Sequence, residues 1–256
     1  MSNILQHITD NKRREVEALI LTARLPEEVD PRRSTLSMSR TLAGSPTGII
    51  AEFKRRSPSK GEIHPMAMVD KVIPAYTEAG ASACSILTDT PYFGGALTDL
   101  AMARSLTNIP LLRKDFIVSR YQIREATLYG ADAILLIASA LDRNEIEKFT
   151  DYAHSLNLEV LLELHSLDEI NKFYPEVDMV GVNNRDLTTF HTDPALSLSI
   201  ANELPDNIVK IAESGLTSMR EVNRLRDAGY RGFLIGETFM RHRDPGLALH
   251  NFLNLL

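Results

Sequence analysis

Eight short apolar, β-branched runs recur along the chain, each followed by a longer stretch with helical periodicity. This repeat limits the fold more than any other feature. The runs are 49–53, 83–87, 109–113, 133–137, 159–163, 179–182, 208–212 and 232–235. Successive runs lie about 20–35 residues apart, which leaves room for a crossover helix and so predicts parallel pairing. Helical periodicity shows in "MVDKVIPAYTEAG", "RYQIREATLYG", "RNEIEKFTDYAHSL", "SLDEINKFY" and "TSMREVNRLRDAG". Several of these open at Ser or Thr and close near Gly, as helix caps prefer. Thr217, followed by Arg220 and Glu221, approximates a cap without completing a capping box. Eight such units in 256 residues predict an α/β protein, a single (β/α)8 TIM barrel, a fold that takes about 250 residues. An open doubly wound sheet would carry a glycine-rich turn after its first strand, and "AEFKRRSPSKG" is not one.

Residues 1–48 precede the first run. They read as one or two helices, over 3–24 and 34–43, separated by "LPEEVDP". A segment of about 45 residues builds a weak core alone, so this extension is expected to pack on the barrel of residues 49–256 as one structural unit. With 44% hydrophobic and 24% charged residues, the chain can bury a full core. The net charge of -6 and the lack of a basic face argue against a nucleic-acid partner. No stretch reaches the roughly 18 apolar residues of a membrane span, and the first 25 residues lack a signal peptide's apolar core. The single cysteine, Cys84, excludes an internal disulfide framework and points to a reducing, cytoplasmic setting. Cys84 lies within an apolar run and reads as core. The seven histidines show no metal-ligand spacing, so no metal site is expected. His165 alone stands beside a candidate site residue.

A parallel barrel builds its active site at the C-terminal ends of its strands. The first run ends in "IIAEFKRRSPSKG", with Glu52 and Lys54 two apart and therefore on one face. The third ends in "LLRKDF", with Lys114 after an apolar run. The fifth, "EVLLELH", places Glu163 at its end. The sixth, "MVGVNNRDL", again offers two polar residues at spacing two, Asn183 and Arg185. Taken singly, each has a plainer reading as a surface pair or turn chemistry. Brought to one barrel mouth, two lysines, an arginine and several carboxylates are costly to desolvate unless a charged ligand or paired chemistry holds them. The last two runs close on small residues, Ser214, Gly215 and Gly236. Loops at these two positions often bind phosphate through backbone N–H groups. The residues alone therefore support a phosphorylated small-molecule ligand and a lysine–glutamate centre, without naming a reaction.

"IIAEFKRRSPSKG", "LLRKDFI", "LLELH", "GVNNRDL", "IAESG" and "FLIGETFM" resemble, in order and spacing, the pattern of the indole-3-glycerol-phosphate synthase family, from about Ile49 to Met240. The N-terminal extension suits that family too. The resemblance implies a monomeric cytoplasmic carboxy-lyase of tryptophan biosynthesis that needs neither metal nor organic cofactor. It implies conversion of 1-(2-carboxyphenylamino)-1-deoxy-D-ribulose 5-phosphate to indole-3-glycerol phosphate, carbon dioxide and water. On this resemblance Lys114 is the general acid at the substrate carbonyl, and Lys54 meets the substrate carboxylate. Glu163 belongs to the acid–base machinery, and Glu52 stabilises a cationic intermediate. Asn183, Arg185 and Glu213 hold the substrate, with Ser57 in the first loop. Ser214, Gly215, Gly236 and Glu237 form the phosphate cradle. Many relatives carry Ser where this chain has Glu237. A carboxylate facing phosphate is unfavourable, so its side chain is expected to turn out of the pocket. Crowding by cations is expected to lower a lysine pKa. Arg55, Arg56 and Lys60 are expected on a loop that closes over an anionic substrate. Another phosphosugar barrel, such as phosphoribosylanthranilate isomerase, would use a Cys/Asp couple, and Cys84 is misplaced for it. A non-catalytic barrel that only binds a phosphorylated ligand would have no need of Lys114 or Glu163.

Overall fold

Eight parallel strands pair edge to edge until the last meets the first, so the sheet closes on itself. They are β1 (Ile49–Phe53), β2 (Ala83–Leu87), β3 (Leu111–Lys114), β4 (Ala133–Ile137), β5 (Glu159–Leu164), β6 (Met179–Asn183), β7 (Val209–Glu213) and β8 (Gly232–Ile235). Closure comes from β1 against β8, with Ile50 opposite Leu234. This computed structural model describes residues 4–23, 25, 35–186 and 189–254. The fold is the expected (β/α)8 TIM barrel with helices between strands.

Strand alternation divides the core in two. Ile49, Ala51 and Phe53 of β1 face outward into the layer between barrel and helices. Ile50 joins Leu112, Ala133, Leu135, Leu161, Met179, Ile211 and others inside the barrel. The same alternation carries Glu52, two residues after Ile50, to the top of the interior. The interior is thus largely apolar at its waist, and Glu52 and the other candidate site residues gather at the C-terminal rim.

The N-terminal extension serves both ends. Helix α1 (Ile4–Thr22) brings Ile4, Leu5 and Ile8 to the rim of the mouth. Helix α2 (Met38–Gly44) buries Met38 and Leu42, one turn apart, into the interior cluster from below. Ser37 and Ser39 fix it there by donating to Glu159 at the foot of β5, at 2.6 and 2.8 Å. The second helix begins later than expected because Ser37 acts as its N-cap, accepting from the Arg40 N–H. Asn3, Arg24, Ser34 and all of "LPEEVDP" except Leu25 lie outside the described residues.

Three sequence expectations need adjustment. Strand β3 starts at Leu111 because Pro110 has no N–H to give the ladder, and it runs through Lys114. The "SLDEINKFY" stretch forms only a 3₁₀ turn, Leu167–Lys172. Lys172 donates to the Ala138 and Leu141 carbonyls, and Glu169 accepts from the His165 N–H, which pins the segment as a tight connector. The helix Met219–Asp227 does have a full capping box, formed by Ser218 with Glu221 rather than by Thr217. Among the described residues no helix is long and apolar enough to cross a membrane.

Candidate active site

Strands β1, β3, β5, β6 and β7 each carry a polar side chain as their last or penultimate residue, Glu52, Lys114, Glu163, Asn183 and Glu213. Glu163 lies opposite Gly181, and Asn183 opposite Glu213. Because these residues are the last of their strands or adjoin them, the ladder holds them in place. All twelve predicted site residues line one cleft of about 260 Å³ at the mouth.

Lys114 is the hub. Its Nζ donates to Glu163 Oε2 at 2.9 Å and to Glu213 Oε2 at 2.8 Å. Both carboxylates are almost fully buried. Burial alone pulls the ammonium pKa down, but Glu163, Glu213 and Glu52 outweigh it and hold Lys114 above the ordinary lysine value. This reverses the expected lowering: the neighbours of Lys114 are carboxylates, not cations. Burial pushes Glu163 up, yet Lys114 and then His165 carry it well below the usual carboxylate range. Glu213 behaves oppositely. Burial and the nearby Glu163 charge raise it to about 8 despite Lys114. Two carboxyls that share one ammonium thus divide into an anion, Glu163, and a proton holder, Glu213.

Two glycines make this packing possible. A Cβ on Gly181 would stand 2.5 Å from Glu213 Oε1, so the bare backbone there leaves space for that carboxyl to lean toward Lys114. A Cβ on Gly236 would stand 2.2 Å from Glu52 Oε1. Gly236 therefore accommodates Glu52 in addition to its expected place at the phosphate end. Glu52 in turn contacts Lys54 Nζ at 2.5 Å.

The charges of the first loop divide unexpectedly. Arg55 does not face the mouth. It forms a two-pronged pair with Asp99 and stacks over the Phe53 ring. Arg56 donates to the carbonyls of Thr90 and Pro91. Only Lys60 of the three expected cations lines the cleft, together with Ser57 and Ser59. The loop carries a small hairpin, Arg56–Ser57 against Gly61–Glu62. Arg185 crosses from β6 to donate to Ser59 Oγ at 2.7 Å.

Glu237 also departs from expectation. Its side chain reaches across the mouth rather than out of it, to Lys60 and Arg185, each at 3.4 Å. Two cations on facing loops attract it, and its side chain is 32% exposed. Next to it, Thr238 Oγ1 donates to the Leu216 carbonyl at 2.8 Å, joining the loops after β7 and β8. Ser214 and Gly215 both have positive φ, 66° and 76°, and a Cβ on Gly215 would meet Thr192 at 2.5 Å. The backbone there takes a turn that glycine makes easily and serine rarely.

Sequence reasoning missed the apolar wall. Phe93, Phe116 and Phe190, with Ile4, Leu5 and Ile8 of α1, give the cleft a hydrophobic side facing the charges. These residues carry no motif, and only the closed barrel brings them together. Among the described residues no group of His, Cys, Asp and Glu is placed to hold a metal.

Comparisons with known proteins agree with this geometry. The family model for indole-3-glycerol phosphate synthase matches residues 5–252. The chain is 49% identical to an indole-3-glycerol phosphate synthase of Bacteroides thetaiotaomicron, covering 100% of both chains. It is 43% identical to a protein of the same name from Koribacter versatilis, over 99% of this chain and 100% of the relative. Among solved structures it resembles a thiamine phosphate pyrophosphorylase from Pyrococcus furiosus, with a TM-score of 0.61, 16% identity, and coverage of 85% of this chain and 96% of the other. An N-acetylmannosamine-6-phosphate 2-epimerase from Clostridium perfringens also has a TM-score of 0.61, with 14% identity over 91% of this chain and 100% of the other. At such identities these two likenesses speak for the fold alone.

Proposed function

The chain belongs to the indole-3-glycerol phosphate synthase family, and from that premise we propose how its mouth residues divide the reaction. The enzyme is a carboxy-lyase of tryptophan biosynthesis acting on a phosphorylated small molecule. It closes, decarboxylates and dehydrates 1-(2-carboxyphenylamino)-1-deoxy-D-ribulose 5-phosphate to indole-3-glycerol phosphate. The observation that carries the assignment of roles is the Lys114 ammonium held between Glu163 and Glu213 at the mouth.

Ring closure needs a proton at the substrate carbonyl as the aromatic carbon attacks. Lys114, kept charged by its carboxylate neighbours, donates it. Lys54 meets the benzoate carboxylate and directs it toward the carbonyl. Glu52 faces the cation that forms on the ring and nitrogen before carbon dioxide leaves. Glu163 moves protons with Lys114, while Glu213, largely protonated near neutrality, adds no second full charge to the pocket. Asn183 and Arg185 orient the anthranilate part and the sugar hydroxyls, with Ser57 closing the first loop. The phenyl ring takes the apolar wall of Phe93, Phe116 and the α1 residues. Ser214, Gly215, Gly236 and the backbone N–H of Glu237 receive the phosphate, supported by the positive φ of the first two. Residues 1–48 act as an integral part of the barrel, because α1 and α2 close its two ends. The enzyme acts as a cytoplasmic monomer, since one chain supplies the whole cleft and its lone cysteine is buried.

The test is formation of indole fluorescence from the substrate, read against a protein without tryptophan. Lys114→Ala is expected to lower kcat by about 10²–10⁴-fold, the usual worth of a general acid, while substrate still binds. Unchanged turnover in that variant would remove Lys114 from the mechanism.

A further inference from the structure

Glu163 has two oxygens with different neighbours. Oε2 accepts from Lys114 at 2.9 Å, and Oε1 lies 3.1 Å from Nε2 of His165. On the other side of that ring, Nδ1 lies 3.2 Å from Ser139 Oγ. Ser139, in the loop after β4, is exposed and hydrogen-bonds Glu169 Oε1. The His165 side chain is itself only 8% exposed. Exchangeable groups close to one another therefore lead from the buried acid–base centre to water, the His165–Glu163 approach being near in distance but not aligned as a hydrogen bond.

We propose that His165 and Ser139 form a proton relay that refills Lys114 through Glu163 once in each turnover. The proposal rests on the synthase reading above. In that reaction the carboxylate-bearing aromatic carbon bonds to the carbonyl carbon, and the carbonyl oxygen takes up a proton. The bond to the carboxylate then breaks, returns its electron pair to the ring and releases neutral carbon dioxide. The new hydroxyl leaves as water with a second proton, while the carbon next to nitrogen gives one up. The balance is one proton taken from solvent per turnover. The cleft is walled by apolar side chains and by α1, and a relay lets the proton enter while the substrate fills the mouth. After Lys114 donates, His165 hands its Nε2 proton to Oε1 of the Glu163 carboxylate as Ser139 or water protonates Nδ1. The neutral Glu163 carboxyl then turns that O–H to Nζ and becomes a carboxylate again, and the imidazole turns to restore its Nε2–H.

The charged groups facing this line are Lys114 from β3, Glu213 from β7 and Glu169 from the 3₁₀ turn, which lies 3.9 Å from Nδ1 and accepts from the His165 N–H. His165 is thus a positioning and relay residue, acting through Glu163 and not on the substrate itself.

The test compares the whole enzyme with His165→Asn and Ser139→Ala. In weak buffer with a pH indicator, the unaltered enzyme is expected to take up one proton for each indole-3-glycerol phosphate formed. His165→Asn is expected to lose at least about tenfold in kcat, with KM within about twofold, and to recover as imidazole buffer is added at constant ionic strength. Ser139→Ala, at an exposed position that cannot upset the core, is expected to show a smaller loss with the same buffer dependence. Full kcat in both variants, or a loss that no buffer acid relieves, overturns the relay and leaves the synthase reading intact. An unaltered enzyme that forms no indole product overturns both.

Discussion

Lys12, on the helix before the barrel, lies 3.2 Å from Asp115, the residue that follows Lys114. The same ammonium stands 3.0 Å from Asp89 after β2, and all three side chains are almost wholly buried. Burial pushes Asp115 up, but Arg113 and Lys12 bring it down to about 2. Asp115 also accepts from the Phe116 N–H, so α1 helps shape the loop that follows Lys114 and one wall of the cleft. Removing one partner of a buried pair costs about 3–5 kcal/mol, because the other charge is left without compensation. Lys12→Met is therefore expected to lower unfolding free energy by about that amount in urea titrations. Lys12→Arg should recover part of it. A loss under about 1 kcal/mol would mean that water replaces Lys12 and that α1 is only loosely joined to the barrel.

The contact between Gly236 and Glu52 gives a second expectation. A methyl group at 236 must displace Glu52, whose carboxylate is fixed against Lys54. Overpacking of this kind costs about 1–3 kcal/mol and moves the group it strikes. Gly236→Ala is expected to fold yet lose kcat by about tenfold or more, since Glu52 and Lys54 shift together. Steady-state kinetics with a thermal melt separates this from a general loss of structure. A variant that keeps kcat and only raises KM would assign Gly236 to phosphate binding alone.

Glu237 is expected to compete with an anionic substrate for Lys60 and Arg185. Its carboxylate contacts Lys60 and Arg185 across the mouth, in a partly exposed setting where such pairs contribute about 0.2–1 kcal/mol each. Glu237→Gln keeps the backbone and frees both cations for an anionic ligand. KM is expected to fall by about two- to fivefold at low salt, with the difference fading as ionic strength rises. A higher KM would show that the pairs serve to hold the first loop in its binding shape.

The barrel was legible because each strand is a short apolar run, and four of the eight match their expected bounds residue for residue: 49–53, 83–87, 133–137 and 232–235. Spacing of two likewise placed Glu52 with Lys54 on the inner face. What stayed hidden depends on neighbours remote in sequence. Nothing local to Glu237 indicates that Lys60 and Arg185 face it, and nothing near Lys12 indicates Asp89. Arg55 reads as a mouth cation until Asp99 is seen beside it. Helix Leu97–Leu106 escaped notice because its Ala, Met and Ser residues weaken the apolar stripe. Nothing local to Gly181 marks it out. Only the closed barrel, which sets it opposite Glu163 and under the Glu213 carboxyl, gives it a purpose.

The raised pKa of Glu213 makes stability depend on pH in a window of its own. In the unfolded chain this carboxyl ionises near the ordinary glutamate value, about 4.3. In the fold, burial and Glu163 hold its proton until about pH 8. Between those values the folded state binds a proton that the unfolded state has lost, so stability falls as pH rises, and the slope ends once the folded group also ionises. Glu163, held low, contributes stability that is already complete above the ordinary carboxylate range. Lys114, held high, contributes stability lost only above the ordinary lysine range. Neither interferes between pH 5 and 8. Glu213→Gln copies the protonated side chain and cannot titrate. Urea unfolding at about pH 5.5 and 8.5 is expected to show the unaltered protein losing stability relative to this variant as pH rises. Taking the difference also cancels His154, which titrates in both proteins with a pKa raised chiefly by its hydrogen bond to Asp178. Parallel stability curves would mean that Glu213 ionises with its neighbours at low pH, and the neutral role assigned to it near Lys114 would fall.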